Sequence, residues 1–452
     1  MNVRSDRWGR NLPPVRYLLV FWLFVLSAVA YLDRTNISIA GVHIGREFAV
    51  DNVHLGWVFS AFLLGYASFQ IPVGLLARRL GPRLVLGLGF AWCSLFAVLM
   101  ALVPLKVHGA LLILALVRFG LGAGEAAMYP AASQFVERWF PVCERGKANG
   151  LIFAGIGIGA GLTPPLVTAI ILRYEWRASF WFSALACAVA GLVWYLAARD
   201  TPEEHPLVGD EEKALITQNR NMRTSPNPSG GATQSGKSAV PWAKIFGSKA
   251  VLALTASYFA FGYVVWLFYT WFYIYMAQAR GLNLKASAFF TMWPFIAMTI
   301  GCLGGGVLSD WLATRFSLRI GRCLLPALSL AVAAVLLVIG SGTRNPAAAA
   351  VILACSAGVI FIAQSIFWAV TADIAGEHVG VVSGLMNMGG QAGGVCTASL
   401  TPLIAAHFGW EMSFVAAASI AALGAVAWIL INPIGMSANS DANSRGRPPV
   451  SS

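Results

Sequence analysis

The sequence predicts an all-α, polytopic membrane protein with twelve transmembrane helices in two six-helix bundles. Its composition is 58% hydrophobic and only 11% charged, far outside the range of soluble domains. Twelve apolar runs are each long enough to cross a bilayer, and a polar stretch divides them into two sets of six. Short sequence matches between the two sets indicate an internal repeat.

The predicted spans are continuous apolar runs, each close to the roughly 20 residues that a helix needs to cross the hydrocarbon core. A β-barrel would instead alternate polar and apolar residues over segments of about ten positions. The spans are predicted at residues 17–41, 54–77, 84–104, 109–132, 148–172, 177–198, 250–277, 286–311, 322–341, 346–370, 380–406 and 411–432.

The polar stretch between Asp200 and Lys249 is rich in Pro, Gly, Ser and Thr, and we expect a cytoplasmic linker with a short surface helix over 209–220. The Ser- and Asn-rich end of the chain predicts a disordered tail. The expected domains are an N-terminal six-helix bundle (1–199), the linker (200–248), a C-terminal six-helix bundle (249–432) and the cytoplasmic tail (433–452).

Parts of the first half recur in the second half at a near-constant offset. Residues 74–78, Gly-Leu-Leu-Ala-Arg, return as Gly-Val-Leu-Ser-Asp at 306–310, and Trp176 to Phe180 returns as Trp410 to Phe414. Repeats in the same orientation are related by an axis along the membrane normal and are typical of transporters with a site between the halves.

The Lys and Arg residues predict the orientation. An even number of spans places both termini on one side, and the segments on that side hold about three times as many of the basic residues as the opposite loops. We therefore expect both termini in the cytoplasm of a multi-pass protein of the cell inner membrane. The net charge of +12 follows this topology and does not indicate nucleic-acid binding.

Two patterns resemble nucleotide sites without their structural context. The phosphate-loop pattern at Gly231 to Ser238 lies in a Pro- and Gly-rich linker and does not follow a buried strand, so we expect no nucleotide. Glycines cluster at 155–161 and 389–394 within apolar spans, where they favour close helix packing or a cavity lined by backbone. The seven cysteines are scattered singly, and we expect no metal and no cofactor.

Four charges lie deep in apolar spans: Asp33 and Arg34 in the first, and Arg118 and Glu125 in the fourth. Such groups are expensive in hydrocarbon and usually face a cavity or a partner. Arg118 and Glu125 are seven residues apart and share one helix face. A structural ion-pair network is one interpretation. The other is a cavity with two cations and two titratable acids, in which anion binding and protonation are coupled.

Polar and aromatic residues of other spans can complete such a pocket, although lipid-facing and packing roles stay open for each of them. The candidates are Tyr66, Gln70, Trp266, Tyr269, Thr270, Trp271, Gln364, Ser365, Trp368, Asn387 and Gln391.

The sequence resembles the anion:cation symporter branch of the major facilitator superfamily, which includes bacterial galactonate, glucarate, hexuronate and phthalate transporters. The resemblance spans all twelve helices. It rests on Tyr31 to Ser38 (Tyr-Leu-Asp-Arg-Thr-Asn-Ile-Ser), Phe59 to Phe62 with Tyr66 and Gln70 to Pro72, Arg118 with Glu125, and Thr270 to Phe272.

The resemblance implies alternating access, proton-driven uptake of an organic carboxylate, and no enzymatic activity. Carried over by position, Asp33 and Glu125 would be the protonation sites. Arg34 would meet the substrate carboxylate and Arg118 would switch partners between acids. Positions that contact a sugar acid in the branch correspond to Tyr66, Ser365, Trp368 and Asn387.

Two positions depart from the pattern of the branch. Ile156 stands where sugar-acid members often carry a fifth-helix glutamine, and Arg78 replaces the usual acid of the loop motif, whose repeat partner Asp310 is kept. We predict a monomeric proton symporter that imports a sugar acid such as a hexonate, hexarate or hexuronate. An exchanger or efflux antiporter of the same fold is the alternative, and a sensor that binds without transport would need a signalling domain.

Overall fold

A computed structural model describes residues 14–104, 109–141, 144–216, 245–375 and 379–431. The first six long helices are α1 Val15–Glu47, α2 Asn52–Leu80, α3 Pro82–Leu102, α4 Ala110–Trp139, α5 Arg145–Arg173 and α6 Trp176–Ala197. The second six are α7 Lys249–Thr270, α8 Leu284–Arg315, α9 Ile320–Gly342, α10 Pro346–Ala375, α11 Val379–Phe408 and α12 Trp410–Ala427.

These helices confirm the predicted all-α membrane fold. Eleven of the helices in the described residues are long and apolar enough to cross a bilayer. The remaining one, α11, is 30 residues long and occupies the position of the eleventh predicted span. Its glycines and the amides of Asn387 and Gln391 lower its hydropathy, which separates it from the other eleven.

Two of the long helices are interrupted. The α4 helix breaks at Ala126 and Ala127, between Ala110–Glu125 and Met128–Trp139. Pro130 explains the break, because it has no N–H to donate to the carbonyl of Ala126. After α7 the chain continues through one helical turn and a π-helical turn, Tyr275–Ala279.

The packing of the first six helices recurs in the second six. In the first half α1 packs on α5 and α6, α2 packs on α4, and α3 packs on α6. In the second half α7 packs on α11 and α12, α8 packs on α10, and α9 packs on α12. The two halves meet where α2 lies on α11 and α5 lies on α8. Each contact pair thus has a counterpart six helices later.

The halves are in tight contact at the end of the molecule that carries the α1–α2 turn, which we call the far end. The tilted rings of Phe59 and Trp271 are in contact, with centroids 5.1 Å apart, and the hydroxyls of Ser60 and Ser399 are 2.7 Å apart. At Gly56 an added Cβ would lie 2.4 Å from the carbonyl oxygen of Ala398. We call these contacts the far-end layer.

The opposite end, the linker end, is held by the start of the linker. Residues 210–216 form a helical segment, in agreement with the predicted surface helix, whose last four residues lie outside the described part. The carboxylate of Glu212 accepts hydrogen bonds from the backbone N–H groups of Val15 and Arg16, both at 3.2 Å. Arg16 also pairs with Glu212 at 3.0 Å and with Glu144 at 3.1 Å. The linker therefore caps α1, and Arg16 in turn connects α1 to the start of α5.

Most of the clustered glycines pack helices closely, which confirms the packing interpretation for them. In α5, an added Cβ at Gly155 or Gly159 would lie 2.4 Å or 2.2 Å from a backbone oxygen of α1. In α11, a Cβ at Gly393 would lie 2.2 Å from the carbonyl oxygen of Phe259 in α7. The phosphate-loop pattern at 231–238 and the tail at 433–452 lie outside the described residues.

We expect Gly393→Ala to lower the stability of the protein by about 1–3 kcal/mol, because two rigid helix backbones must separate to admit the methyl group. The melting temperature of the purified protein in detergent measures the effect. Gly384 of the same helix is the matched control, since its Cβ would meet nothing within 4 Å. Gly384→Ala should leave the melting temperature unchanged or raise it. Equal melting temperatures for both variants would contradict the packing role.

Candidate functional site

The four intramembrane charges come together between α1 and α4. Asp33, Arg34, Arg118 and Glu125 are between 0% and 4% exposed. The Arg34 guanidinium donates from Nε to a carboxylate oxygen of Glu125, so this acid and this base form a buried ion pair. The ion pair joins the first helix to the fourth in the middle of the N-terminal half.

Aromatic rings surround the two arginines. The Arg34 guanidinium carbon lies 4.6 Å from the ring centroid of Tyr31 and 4.5 Å from that of Tyr66. The guanidinium of Arg118 lies 4.5 Å from the ring of Phe62, the same ring that is 5.7 Å from Arg34. Cation–π contacts of this kind contribute about 0.5–2 kcal/mol each and hold a guanidinium without neutralising its charge.

The cluster has hydrogen-bonding capacity that the described residues do not use. Both carboxylate oxygens of Asp33 lack a partner, as do Nη2 of Arg34, Nε and Nη1 of Arg118, and Oε1 of Glu125. Buried polar atoms are normally paired. In a membrane protein, unused donors and acceptors at one place indicate a site where charge or a ligand is exchanged.

A central cavity of about 150 Å³ lies beside the ion pair, at the middle of the helices. Residues from α1, α2, α4, α5, α7, α10 and α11 surround it, so both halves contribute. Its lining consists of Tyr31, Arg34, Tyr66, Gln70, Tyr129, Phe153, Ile156, Tyr258, Phe261, Gly262, Val265, Trp266, Tyr269, Phe361, Gln364, Trp368, Asn387, Gly390 and Gln391.

Four predicted substrate contacts, Arg34, Tyr66, Trp368 and Asn387, are in this lining. The other candidates that line it are Gln70, Trp266, Tyr269, Gln364 and Gln391.

Amide side chains provide the neutral polar groups of the cavity. Asn387 Nδ2 donates to the side-chain oxygen of Gln70 at 2.8 Å, which connects α11 with α2 across the two halves. Gln364 Nε2 donates to the hydroxyl of Tyr258 at 3.3 Å. The side-chain oxygen of Gln391 has no hydrogen-bond partner among the described residues. The cavity therefore offers both donors and acceptors next to the Arg34 cation.

Other predicted residues lie outside the lining. Asp33, Arg118 and Glu125 do not line the cavity, and Glu125 is connected to it through its ion pair with Arg34. The hydroxyl of Ser365 donates to the carbonyl oxygen of Cys302 at 3.1 Å, within the second half.

Two further candidates, at the end of α7 and directly after it, also lie away from the lining. Thr270 bonds to the carbonyl oxygen of Trp266 on its own helix. Trp271 belongs to the far-end layer, where its indole N–H donates to Ala398.

Several lining residues were not among the predicted candidates. Tyr129 bonds to Ser27 at 3.1 Å and stacks on Phe153, with ring centroids 5.5 Å apart. Tyr258 and Phe361 line the part of the cavity that belongs to the second half. The break in α4 between Glu125 and Tyr129 means that helical spacing from Glu125 did not indicate the position of Tyr129.

Comparisons with known proteins agree with this architecture. The family model described as Major Facilitator Superfamily matches residues 23–398 and 369–451. A probable sulfoacetate transporter of Cupriavidus necator is 31% identical over 93% of this chain and 94% of its own length. The hexuronate transporter of Bacillus subtilis is 26% identical over 92% of this chain and 94% of its own length.

A solved structure has the same fold. It is a bacterial homolog of the human lysosomal transporter Spinster in an inward-facing, unoccupied conformation, with a TM-score of 0.73 and 16% sequence identity over 93% of this chain and 98% of its own. Together with the family match, this likeness confirms the membership that the sequence motifs predicted. The chain belongs to the Major Facilitator Superfamily and is a membrane transporter, not an enzyme.

Proposed function

We propose that this protein is a proton-coupled symporter that imports an organic carboxylate by alternating access across the cell inner membrane, with both termini in the cytoplasm. The ion pair between Arg34 and Glu125 at the wall of the central cavity is the observation that carries the proposal. Arg34 is the cation that lines the cavity. Glu125, which does not line the cavity, forms the ion pair with Arg34.

The ion pair couples anion binding to protonation. A substrate carboxylate that approaches Arg34 competes with Glu125 for the same guanidinium. Protonation of Glu125 removes that competition, because a neutral carboxyl group no longer forms an ion pair. Anion affinity should therefore rise as pH falls, and a bound anion should in turn favour the protonated acid, since linkage is reciprocal.

Asp33 and Arg118 would form the second part of the coupling machinery. Arg118 makes no ion pair within 4 Å among the described residues, and its Nε and Nη1 atoms lack partners. A buried guanidinium in this state can turn to whichever acid carries negative charge. Asp33 and Glu125 are the two acids it can serve, so loss of a proton from one would draw Arg118 towards it.

The substrate class follows from the Arg34 cation and its neutral surroundings. One guanidinium can grip a carboxylate through two parallel hydrogen bonds. Tyr66 and Asn387 provide hydroxyl and amide groups for a hydroxylated body, and Trp368 provides a flat apolar face. The names of the relatives, sulfoacetate and hexuronate transporter, support an organic anion. We therefore keep a hexonate, hexarate or hexuronate as the proposed substrate, although Ile156 offers the cavity no polar group.

Binding can be tested before transport. A thermal-shift screen of the purified protein would compare D-galactonate, D-glucarate, D-glucuronate, sulfoacetate and phthalate at pH 5.5 and 7.5. A ligand at one hundred times its Kd stabilises the folded state by about 2.7 kcal/mol. We expect at least one carboxylate to raise the melting temperature, and to raise it more at pH 5.5. A larger shift at pH 7.5 would contradict the proposed coupling.

We expect Asp33→Asn and Glu125→Gln each to abolish accumulation driven by an inward proton gradient in proteoliposomes. Exchange of labelled for unlabelled substrate without a gradient should remain, because it needs no net proton movement. Glu125→Gln should also bind the anion at pH 7.5 as tightly as the unmodified protein does at pH 5.5, since glutamine leaves Arg34 free. Full accumulation in both variants would exclude these acids from the mechanism.

We expect Arg34→Lys to weaken substrate binding about 10- to 100-fold although the charge is kept, because lysine lacks the planar fork that grips two oxygens and stacks between aromatic rings. Binding is measured by titration calorimetry. Arg173→Lys, at the exposed end of α5, is the control and should bind normally. Near-normal affinity of the Arg34 variant would favour simple electrostatic attraction over bidentate recognition.

Lys237, in the phosphate-loop pattern outside the described residues, separates gradient-driven from ATP-driven transport. Transport by Lys237→Ala should be normal, and proteoliposomes with an imposed proton gradient should accumulate substrate without ATP. An ATP requirement combined with an inactive Lys237 variant would overturn the assignment as a secondary transporter.

A further inference from the structure

The two halves share a packing pattern but not a charge pattern. All buried Asp, Glu and Arg side chains of the described residues lie in the first half. They are Arg16, Asp33, Arg34, Arg118 and Glu125. The helices α7 and α10 are the counterparts of α1 and α4, yet their charged residues, Lys249 and Asp373, lie near the helix ends. The described part of the second half therefore brings no buried charge to the site.

The lining of the central cavity has the same asymmetry. Arg34 is its one charged residue within the part of the chain that the structure describes. The second half lines the cavity with uncharged residues, among them three amides. We call these amides, together with the tyrosine that bonds to one of them, the neutral wall: Tyr258, Gln364, Asn387 and Gln391.

The neutral wall has one buried acceptor to spare. Gln364 donates to the Tyr258 hydroxyl and Asn387 donates to Gln70, whereas Oε1 of Gln391 has no partner among the described residues. A hydroxyl group can donate a hydrogen bond to this oxygen, but an ionised carboxylate has no hydrogen to donate. If the amide turned over, it would present its N–H groups instead, and the side chain would still be neutral.

A second carboxylate on the substrate would find no counter-ion in this cavity. The first carboxylate uses the planar fork of Arg34, and four carbons separate the two carboxylates of a hexarate. Arg118, the other buried cation of the site, does not line the cavity. A carboxylate that leaves water without gaining a counter-ion is strongly destabilised, and hydrogen bonds from neutral amides offset only part of that loss.

We propose that the neutral wall makes this transporter selective for sugar acids with a single negative charge. This inference rests on the proposed function. The carboxylate binds at Arg34, and an uncharged, hydroxylated end of the substrate faces the neutral wall, where a hydroxyl donates to Gln391. Of the proposed substrates, hexonates and hexuronates carry one charge and are accepted, whereas hexarates carry two and are excluded. Sulfoacetate, which is also doubly charged, is excluded for the same reason.

Two pairs of sugar acids separate charge from shape. D-galactonate and galactarate have the same carbon skeleton and the same inner hydroxyl groups, and they differ at C6, where a carboxylate replaces a hydroxymethyl group. D-gluconate and D-glucarate differ in the same way. Carboxyl groups ordinarily have pKa values of about 4, so the hexarates are doubly charged at pH 5.5. Galactitol, which has no carboxylate, is the uncharged control.

Titration calorimetry of the purified protein at pH 5.5 measures the preference. In each pair that binds, we expect the singly charged acid to bind at least about 100-fold more tightly than its doubly charged partner, because the second carboxylate loses its hydration without a counter-ion. Galactitol should show no measurable binding, since it has no group that forms an ion pair with Arg34.

A lysine in the neutral wall should weaken the preference. Gln391→Lys supplies the missing counter-ion, and we expect the ratio of the galactarate Kd to the galactonate Kd to fall at least about tenfold. Gln364→Lys tests the same effect from α10 and replaces the first variant if that one does not fold. Thr314→Lys, at the exposed end of α8, adds the same charge outside the cavity and should keep the normal ratio. Melting temperatures establish that each variant is folded.

The outcomes separate this inference from the proposed function. A strong preference for the singly charged acids that falls in a neutral-wall lysine variant supports charge selection. Equal affinities within the pairs, tighter binding of the hexarates, or a preference that no folded neutral-wall variant changes would overturn charge selection and leave sugar-acid binding itself intact. Absence of binding by all four sugar acids would contradict the proposed substrate class, and charge selection with it.

Discussion

The buried pair of Arg34 and Glu125 is the interaction on which the organisation of the site depends. Two opposite charges in hydrocarbon are stable only while each is neutralised, either by the other charge or by another group that takes its place. The pair lies at the wall of the central cavity, so the substitute for Glu125 can come from the cavity and the substitute for Arg34 can be a proton. In the proposed mechanism, this electrostatic requirement connects the binding of the anion to the binding of the proton.

The neighbouring residues maintain this pair without satisfying it completely. Tyr31 and Tyr66 hold the guanidinium of Arg34 between their rings, at 4.6 Å and 4.5 Å, and leave its Nη2 atom without a partner. Aromatic faces are suitable for this purpose because they stabilise a cation and do not compete for its N–H groups. A carboxylate lining would hold Arg34 more firmly and would exclude the anion.

Much of the fold was predictable because its main signal is continuous hydrophobicity. The third helix, predicted at 84–104, is Pro82–Leu102. The four charges are equally conspicuous, since each interrupts an apolar run and the cost of burying it implies a cavity or a partner. The break in α4 was not predicted, although Pro130 marks it in the sequence.

The rest of the lining could not be predicted for a physical reason. An aromatic residue in a membrane helix can face lipid, another helix or a cavity with little difference in energy, so Phe153 and Tyr258 carried no sign of their location. The hydroxyl of Ser365 could bond within its own half or face the cavity, and only the three-dimensional arrangement distinguishes the two. When a side chain has nearly the same free energy facing lipid or facing the cavity, its neighbours in the fold determine its direction.

The contact at Gly56 has a consequence for how the far end can open. There the main chain of α2 approaches the carbonyl oxygen of Ala398 so closely that no Cβ fits between them. No side chain can rotate away to relax this contact by degrees, and a gap of about 0.5–1 Å already forfeits about a quarter to a half of the van der Waals attraction. A partial separation therefore weakens the contact while the gap is still too narrow for a water molecule. The contact therefore favours an opening in which α2 and α11 separate in one step over a gradual one.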